Sequence, residues 1–463
     1  MKRFSILLIG LSVALASAQD DFDRLTFHTA AKPLSKEAKT EDWPRFLGLN
    51  DDATSGETHL LSEWPESGPT LVWEVEKGEG YACPVIVGER LVLYHNLKDV
   101  DIIECLHPET GKRYWSFEEP NRYRDRFGYS NGPRASAVIA DGHIYTLAPN
   151  SWMRCLNLES GEQVWVRDLA TDYGIPQYFF GHGPNPLVSD GKVFMNLGGS
   201  KGIGVAAFDA KTGETVWETP HAWGSSYASP ILATFHGQEK LLVYCGGESR
   251  PSTGGLLLID PKTGELHDSF PWRAEKYESV NASTPLIIPG NRVLITETYE
   301  IGGCLLQVGE DFTLSKVWTA EELKCHWSQP LFMDGHLYAF TGRNEPDAGL
   351  DCWDAATGER KWREEMFWKT EIDGRTFGWS YFRGSLLRAD GRVYALGELG
   401  TFSTLELTPD GVTENHRVEL FSAQQSWTLP AISKGLLYVC QNQREMKTGS
   451  SPRLRCYDFR RAD

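Results

Sequence analysis

The sequence lacks most features that would assign it to a common functional class. It has no P-loop, H-E-x-x-H, G-x-S-x-G or EF-hand motif, and no stretch with sustained helical periodicity. Basic residues are scarce, because 46 Lys and Arg stand against 63 Asp and Glu and give a formal net charge of −17. A chain this acidic, without a basic stripe, repels phosphate backbones. Nucleic-acid binding is therefore excluded.

Nine cysteines are present, but there is no adjacent pair, no C-x-x-C and no C-x-x-C-H. These absences exclude attached haem c and a zinc ribbon. Five of the cysteines occupy matching repeat positions, which lie too far apart in a ring to pair: Cys105, Cys155, Cys304, Cys352 and Cys456. We expect small buried residues there, and a local disulfide between Cys440 and Cys456 remains open.

The only long apolar run at the N-terminus is too short to cross a bilayer. Lys2 and Arg3 precede this run, which extends from Phe4 to Ala16, and small residues follow at 16–18. This order is typical of a secretory signal peptide. We predict cleavage near Ala18, a polar linker at 19–42, no transmembrane segment, and a periplasmic or secreted protein. No cysteine follows the cleavage site, so we expect no lipid anchor.

Repetition is the strongest feature of the sequence. A Thr-Gly or Ser-Gly pair is followed, four residues after the glycine, by Trp115, Trp165, Trp217 and Trp362. A second phrase, consisting of an apolar pair, a turn such as Asp-Gly and an apolar strand, precedes each copy. Self-similarity at roughly 40–50 residues indicates one supersecondary unit repeated along the chain. We count eight units of four strands.

The eighth unit ends near Tyr457 without a fourth strand, and the segment around Trp73 supplies one. This exchange closes a ring and leaves no long exposed edge. The sequence therefore predicts an all-β fold: a single eight-bladed β-propeller over residues 43–463, with four antiparallel strands per blade and an N-terminal strand in the last blade. Six tryptophans are expected to tie the blades together: Trp73, Trp115, Trp165, Trp217, Trp318 and Trp362.

The connections between blades and those between the second and third strands share one face, where polar and aromatic residues recur. We expect a polar ring with an aromatic collar at the mouth of the central channel. The candidate ligand-binding residues are Tyr81, Arg134, His182, Tyr227, Asn281, His326, Trp327, Arg343, Tyr381 and Trp427. Glu248 and Glu398 are candidates for a catalytic base. Each of these candidate residues also has a purely structural interpretation: it could form hydrogen bonds with backbone groups near the channel axis, or it could be an ordinary surface charge.

The phrases that end at Trp217 and Trp362 read D-x-x-T-G-x-x-x-W and resemble the repeat of the pyrroloquinoline-quinone (PQQ)-like propeller family. The segment Trp43-Pro44-Arg45-Phe46 is similar to the entry segment of secreted bacterial members. The family includes quinoprotein dehydrogenases and also non-catalytic relatives such as the outer-membrane-assembly propeller lipoprotein. The resemblance covers nearly the whole chain and specifies the fold rather than the activity.

The resemblance implies two functions. The dehydrogenases of the family typically have a ring of adjacent cysteines and a Glu/Asn/Asp calcium site, and often a haem c partner; this sequence has neither adjacent cysteines nor a haem motif. We therefore expect an exported binding or scaffold propeller that holds a protein or saccharide ligand at the channel mouth, with no metal site assigned. The alternative is an oxidoreductase that uses PQQ with Ca²⁺ to oxidise alcohols or sugars.

Overall fold

The computed structural model describes residues 22–343, 347–372 and 374–461. The predicted signal peptide lies outside the described residues. The strands form eight antiparallel sheets arranged as the blades of a β-propeller, which confirms the predicted fold class. One short helix, α1 (Leu169–Tyr173), follows the second blade.

The first four blades are continuous in sequence. Blade 1 contains β4 (Val85–Val87), β5 (Arg90–Leu97), β6 (Val100–Leu106) and β7 (Arg113–Pro120). Blade 2 contains β8 (Val138–Ala140), β9 (His143–Leu147), β10 (Trp152–Asn157) and β11 (Gln163–Asp168). Blade 3 contains β12 (Leu187–Ser189), β13 (Lys192–Asn196), β14 (Ile203–Asp209) and β15 (Thr215–Pro220). Blade 4 contains β16 (Ile231–Phe235), β17 (Gln238–Cys245), β18 (Gly255–Ile259) and β19 (Leu266–Pro271).

The last four blades include the additions to the repeat. Blade 5 contains β20 (Leu286–Ile288), β21 (Arg292–Glu297), β22 (Gly302–Val308) and β23 (Leu314–Ala320). Blade 6 contains β24 (Leu331–Met333), β25 (His336–Thr341), β26 (Gly349–Asp354) and β27 (Arg360–Glu364), and a separate hairpin follows it, β28 (Trp368–Ile372) and β29 (Arg375–Trp379). Blade 7 contains β30 (Ser385–Ala389), β31 (Arg392–Leu396), β32 (Thr401–Thr408), β33 (Gly411–Glu419) and the added β2 (Thr54–Ser55). Blade 8 contains β34 (Ala431–Ser433), β35 (Leu436–Gln441), β36 (Arg453–Asp458), β3 (Thr70–Glu76) and the added β1 (Leu25–Phe27).

Blade 8 closes the ring as the sequence predicts. Strand β3 pairs antiparallel with β36, and Trp73 lies opposite Cys456. Strand β1, from the stretch interpreted as a linker, pairs with the outer edge of β3. All nine cysteines are buried and free, and Cys440 lies opposite Leu454 rather than Cys456.

The recurring tryptophans tie each blade to the next. Their indole Nε1 atoms donate to a carbonyl oxygen of the following blade at 2.8–3.2 Å, in the pairs Trp73–Pro108, Trp115–Leu158, Trp165–Ala210, Trp217–Pro261, Trp318–Ala355 and Trp362–Thr408. In every pair except Trp362–Thr408, the ring also lies over the turn glycine of that blade. A Cβ atom on Gly161, for example, would stand 2.5 Å from the Trp115 ring, and its φ of 73° disfavours any other residue. The Thr-Gly pair and the tryptophan are therefore two halves of one interblade contact.

Two blades lack this tryptophan, and other residues fill their seams. In blade 4 the equivalent position is Asp268, whose carboxylate accepts a hydrogen bond from the Leu314 backbone N–H at 2.6 Å. In blade 7 it is His416, and Trp64 from the N-terminal segment packs against that ring at 5.6 Å. The seam between blades 7 and 8 is thus sealed by a residue far outside the repeat.

We call residues 43–61 the floor segment, because they cross the face formed by the tight hairpin turns. Trp43 forms a β-bridge with Ile86 of blade 1, and Leu60 forms one with Arg460 beside blade 8. Between them β2 runs parallel to β30 of blade 7. The floor segment therefore joins blades 1, 7 and 8 at this face, and its residues Phe46, Leu47 and Ala53 lie beside the first strands of blades 6 to 8.

Candidate functional site

An aromatic group occupies the mouth of the channel, on the face opposite the floor segment. It consists of Tyr81, Tyr129, Phe180, Tyr227, Trp327 and Trp427. Their ring centroids lie 4.9 Å apart for Trp327–Trp427, 5.1 Å for Tyr81–Trp427, 5.9 Å for Tyr129–Trp427, 5.4 Å for Tyr129–Phe180 and 5.8 Å for Phe180–Tyr227. Contacts at 4.5–7 Å between tilted rings are the favourable arrangement for aromatic side chains.

The elements that hold these rings differ. Tyr81, Tyr227, Trp327 and Trp427 stand just before the first strand of their blades, where the repeat pattern predicts a collar. Tyr129 and Phe180 come from the long connections after blades 1 and 2. The connections bring them over the mouth, and together the two sets of rings cover it.

A small cavity lies between the mouth and the floor segment. Phe46, Leu47 and Ala53 line it from the floor, and Trp327 and Trp427 line it from the mouth. The cavity that these residues line measures about 10 Å³, which is room for about one water molecule. Side chains of the floor segment and of the mouth therefore come close to each other along the axis at this point.

One ion pair braces the mouth between blades 7 and 8. The Arg383 Nε donates to a Glu398 oxygen at 2.9 Å, and the Trp427 Nε1 donates to the same carboxylate at 2.7 Å. The Arg383 guanidinium also stands over the Trp327 ring at 4.8 Å. Glu398 is 3% exposed, and its carboxylate is held by these donors.

Two other predicted residues are held in similar pairs. Arg134 donates to Asp125 at 2.7 Å and lies over the Tyr81 ring at 5.6 Å. Glu248 accepts hydrogen bonds from Arg126 and from the Tyr277 hydroxyl. Both carboxylates proposed from the sequence as bases are thus neutralised by arginine.

His182 and Asn281 are buried below the aromatic group. The His182 Nε2 donates to the Asn196 carbonyl oxygen at 2.8 Å, which leaves Nδ1 as a buried acceptor without a partner in the described chain. The Asn281 Nδ2 donates to the carbonyl oxygens of Cys245 and Trp272 at 2.7 and 3.1 Å. Both side chains are at most 1% exposed and link neighbouring backbone segments.

His326 and Arg343 lie together at another part of the mouth. His326 contacts the Trp327 ring at 4.8 Å, and Tyr299 lies between His326 at 5.8 Å and the Arg343 guanidinium at 4.4 Å. Burial, followed by the positive charges of Arg383 and Arg343, lowers the pKa of His326 to about 3. This imidazole is neutral at physiological pH.

Tyr381 is not part of the aromatic group. Its hydroxyl donates to Ser403 and Glu414, and its ring packs on Phe340 at 5.5 Å and Trp368 at 5.4 Å. The structure therefore places it between blades 6 and 7, away from the mouth. Arg383, two positions later in the same loop, takes a place at the mouth that sequence reasoning did not assign. The opposite charge of Glu398 in the same blade is the signal that would have indicated it.

The cavity beside Trp327 and Trp427 does not fit PQQ with Ca²⁺. Sites for ligands of that size measure about 300–1,000 Å³, whereas this cavity measures about 10 Å³. Trp327 and Trp427 contact each other, so no gap for a planar ring system lies between them. Within residues 22–343, 347–372 and 374–461, no three His, Cys, Asp or Glu side chains cluster closely enough to hold a metal ion.

We expect the His182 ring to stay neutral well below neutral pH. Burial lowers its pKa from 6.5 to about 4. The unfolded chain then binds more protons than the folded chain between these values, so stability falls as pH drops from 6.5 towards 4, by about 1.4 kcal/mol per pH unit. NMR of histidine-labelled protein should show a neutral His182 ring at pH 5. A titration midpoint near 6.5 would contradict the burial argument.

The comparisons with known proteins agree with the fold. A family model described as outer membrane protein assembly factor BamB matches residues 98–364. A 1-butanol dehydrogenase (cytochrome c) of Thauera butanivorans is 33% identical over 98 residues, or 19% of this chain and 13% of the relative. The BamB of Moranella endobia is 29% identical over 102 residues, or 22% of this chain and 23% of the relative. The matches thus span less than a quarter of either relative's length.

A solved structure shows the same architecture. The quinohemoprotein alcohol dehydrogenase of Comamonas testosteroni superposes with a TM-score of 0.62 at 12% identity, covering 91% of this chain and 81% of that one. At this identity the likeness shows the fold alone. The family match covers more than half of the sequence and includes the Thr-Gly and tryptophan contacts of blades 1 to 3. The chain belongs to the propeller family described as outer membrane protein assembly factor BamB.

Proposed function

We propose that this protein is an exported, non-catalytic binding propeller that holds an acidic segment of a partner protein at its mouth. The docking surface is the arginine loop, defined as residues 121–134 between blades 1 and 2. The description of the family as an assembly factor supports a protein partner, and the predicted signal peptide supports export. No helix in the described ranges is both long and apolar enough to cross a membrane.

The observation that carries the proposal is the exposure of this loop. Arg122, Arg124 and Arg126 are exposed, and beside them Phe127 and Tyr129 are 54% and 41% exposed. Arginine and aromatic side chains dominate the binding energy of protein interfaces. Arg124 pairs with Asp99 at 3.0 Å and Arg126 with Glu248, but both arginines stay exposed, so an acidic partner segment can compete for them. The loop itself carries four arginines and one aspartate on a chain whose net charge is −17, and it therefore favours a partner segment of opposite charge.

The loop is anchored at its base, which leaves its tip available for binding. The Asn121 amide donates to Asp101 at 2.8 Å, and its own oxygen accepts from the Tyr123 backbone N–H. The Asp125 carboxylate accepts from the backbone N–H groups of Phe127 and Tyr129 at 2.9 and 3.1 Å. Such preorganisation lowers the entropic cost of binding.

The test uses a fluorescent octapeptide of alternating glutamate and tyrosine, measured by anisotropy. We expect salt-sensitive binding to the wild-type protein and none by the alternating lysine–tyrosine peptide. The triple variant R122E/R124E/R126E should bind at least about tenfold more weakly, since several charge contacts of 0.2–1 kcal/mol each are reversed.

The matched control is K112E/K211E/K262E, which makes the same change in net charge at exposed turns of the hairpin face. It should leave the affinity almost unchanged. Equal losses in both variants would mean that net charge alone governs binding and would refute the loop as a site. Dye reduction with alcohols after addition of PQQ and Ca²⁺ would instead favour the dehydrogenase alternative.

A further inference from the structure

A second cleft lies on the same face, between blades 4 and 5 and away from the channel axis. Its volume is about 530 Å³, within the range of small-molecule sites. It is lined by Trp223, by Ser252 to Gly254, by Pro271 to Arg273, and by Glu275, Glu300 and Ile301. We propose that this cleft binds a neutral saccharide. The cleft is separate from the arginine loop, and its occupation does not depend on the proposed function.

The walls of the cleft are held in place by hydrogen bonds. The Arg273 terminal nitrogens donate to the Ser249 hydroxyl at 2.6 Å and to the carbonyl oxygens of Thr253 and Ser279 at 3.0 and 2.7 Å. The Trp272 Nε1 donates to the Gly302 carbonyl oxygen at 3.0 Å. These bonds join the loops of two blades, so the cleft is formed before any ligand arrives.

The remaining side chains offer the contacts that a pyranose ring uses. Trp223 and Trp272 are half-buried, so each presents part of an apolar ring to the cleft. A sugar ring stacks its C–H face on such a surface and leaves its hydroxyls at the edge. In the described chain the Glu275 carboxylate makes no ion pair, and the hydroxyls of Ser252 and Thr253 make no hydrogen bond, so these groups are available to ligand hydroxyls.

The charge of the cleft decides between classes of saccharide. The terminal nitrogens of Arg273 donate hydrogen bonds to a hydroxyl and to carbonyl oxygens of the cleft wall, and Glu300 is paired with Lys276 at 2.5 Å. The acceptors of the Arg273 nitrogens are neutral, so Arg273 keeps its positive charge and balances the negative charge of Glu275, and the lining is close to neutral overall. A neutral saccharide would gain a charge-assisted hydrogen bond to the Glu275 carboxylate, whereas the carboxylate of an anionic sugar would meet Glu275 and find the terminal nitrogens of Arg273 already engaged.

The test is calorimetric titration of the purified protein with maltohexaose, cellohexaose and chitohexaose, and with hexagalacturonate as the anionic comparison. We expect millimolar or tighter binding of at least one neutral hexasaccharide and none of the anion. Trp223→Ala should weaken that binding about tenfold through the loss of stacking. Glu275→Gln, an exposed and conservative change, should weaken it several-fold.

Trp152→Ala is the matched control, since Trp152 is also half-buried but lies on β10 of blade 2. It should leave saccharide binding unchanged. Absence of binding by all three neutral hexasaccharides would overturn the proposal, as would binding of hexagalacturonate alone or an unaltered affinity in Trp223→Ala. The glutamate–tyrosine peptide should bind Trp223→Ala as it binds the wild-type protein, which separates this result from the function proposed for the mouth.

Discussion

Replacement of Trp165 by alanine is expected to lower the free energy of unfolding by about 3–5 kcal/mol. Trp165 is 8% exposed, and its Nε1 donates to the Ala210 carbonyl oxygen of the next blade at 2.9 Å. Its ring covers Gly213, where a Cβ atom would stand 2.8 Å from it. The substitution therefore removes the packing and the hydrogen bond that join blades 2 and 3. Urea unfolding should show a lower midpoint with an unchanged slope.

Val164 provides the control, because it precedes Trp165 on the same strand but is 45% exposed. Val164→Ala should change the free energy of unfolding by no more than about 0.5 kcal/mol. If the two variants were equally stable, the interblade contact of the tryptophan would not be a major source of stability.

Replacement of Glu57 by alanine should destabilise the protein by a similar amount, about 3–5 kcal/mol. The Glu57 carboxylate is 1% exposed and accepts hydrogen bonds from the backbone N–H groups of Glu41 at 3.0 Å, Gly435 at 2.8 Å and Lys434. Its loss leaves three N–H groups without an acceptor, at a cost of about 1–3 kcal/mol for each that stays buried. The urea midpoint should fall, and the Lys434 and Gly435 amides should exchange hydrogen faster.

Glu37→Ala removes a carboxylate from the same N-terminal region, but this side chain is 86% exposed. We expect no measurable change in stability or in amide exchange. Equal protection of the Lys434 and Gly435 amides in Glu57→Ala and wild type would show that the floor segment is held by other contacts.

The blades could be predicted from the sequence because each contains a local signal. A turn glycine and the tryptophan four residues later lie in one hairpin, so the sequence shows them together. Trp73 has no complete four-strand unit around it in the sequence, and this indicates that its strand completes the last blade. The floor segment could not be predicted, since Trp43 and Leu60 are held by single bridges to distant residues. Nor could the insertion of Trp64 into the seam between blades 7 and 8, which depends on the absence of a tryptophan at His416.

The mouth could be predicted in part. Tyr81, Trp327 and Trp427 lie together because they occupy the same position before an inner strand. Tyr381 occupies that position too, but the added hairpin after blade 6 places Trp368 against its ring and its hydroxyl reaches Glu414. The position of Tyr381 in the repeat does not predict that an added hairpin will contact its ring. The roles of these residues in binding remain predictions.

Closure of the ring by β3 and β36 has a consequence for how the chain folds. The ion pair between Glu74 and Arg455 joins residues 381 positions apart. Strand β3 is synthesised early, and the edge that pairs with β36 stays unpaired until β36 is synthesised. Pairing of β3 with β36 is therefore a late event in folding, and it costs conformational entropy because it closes a long loop. The protein is most vulnerable to aggregation just before its last sheet is complete.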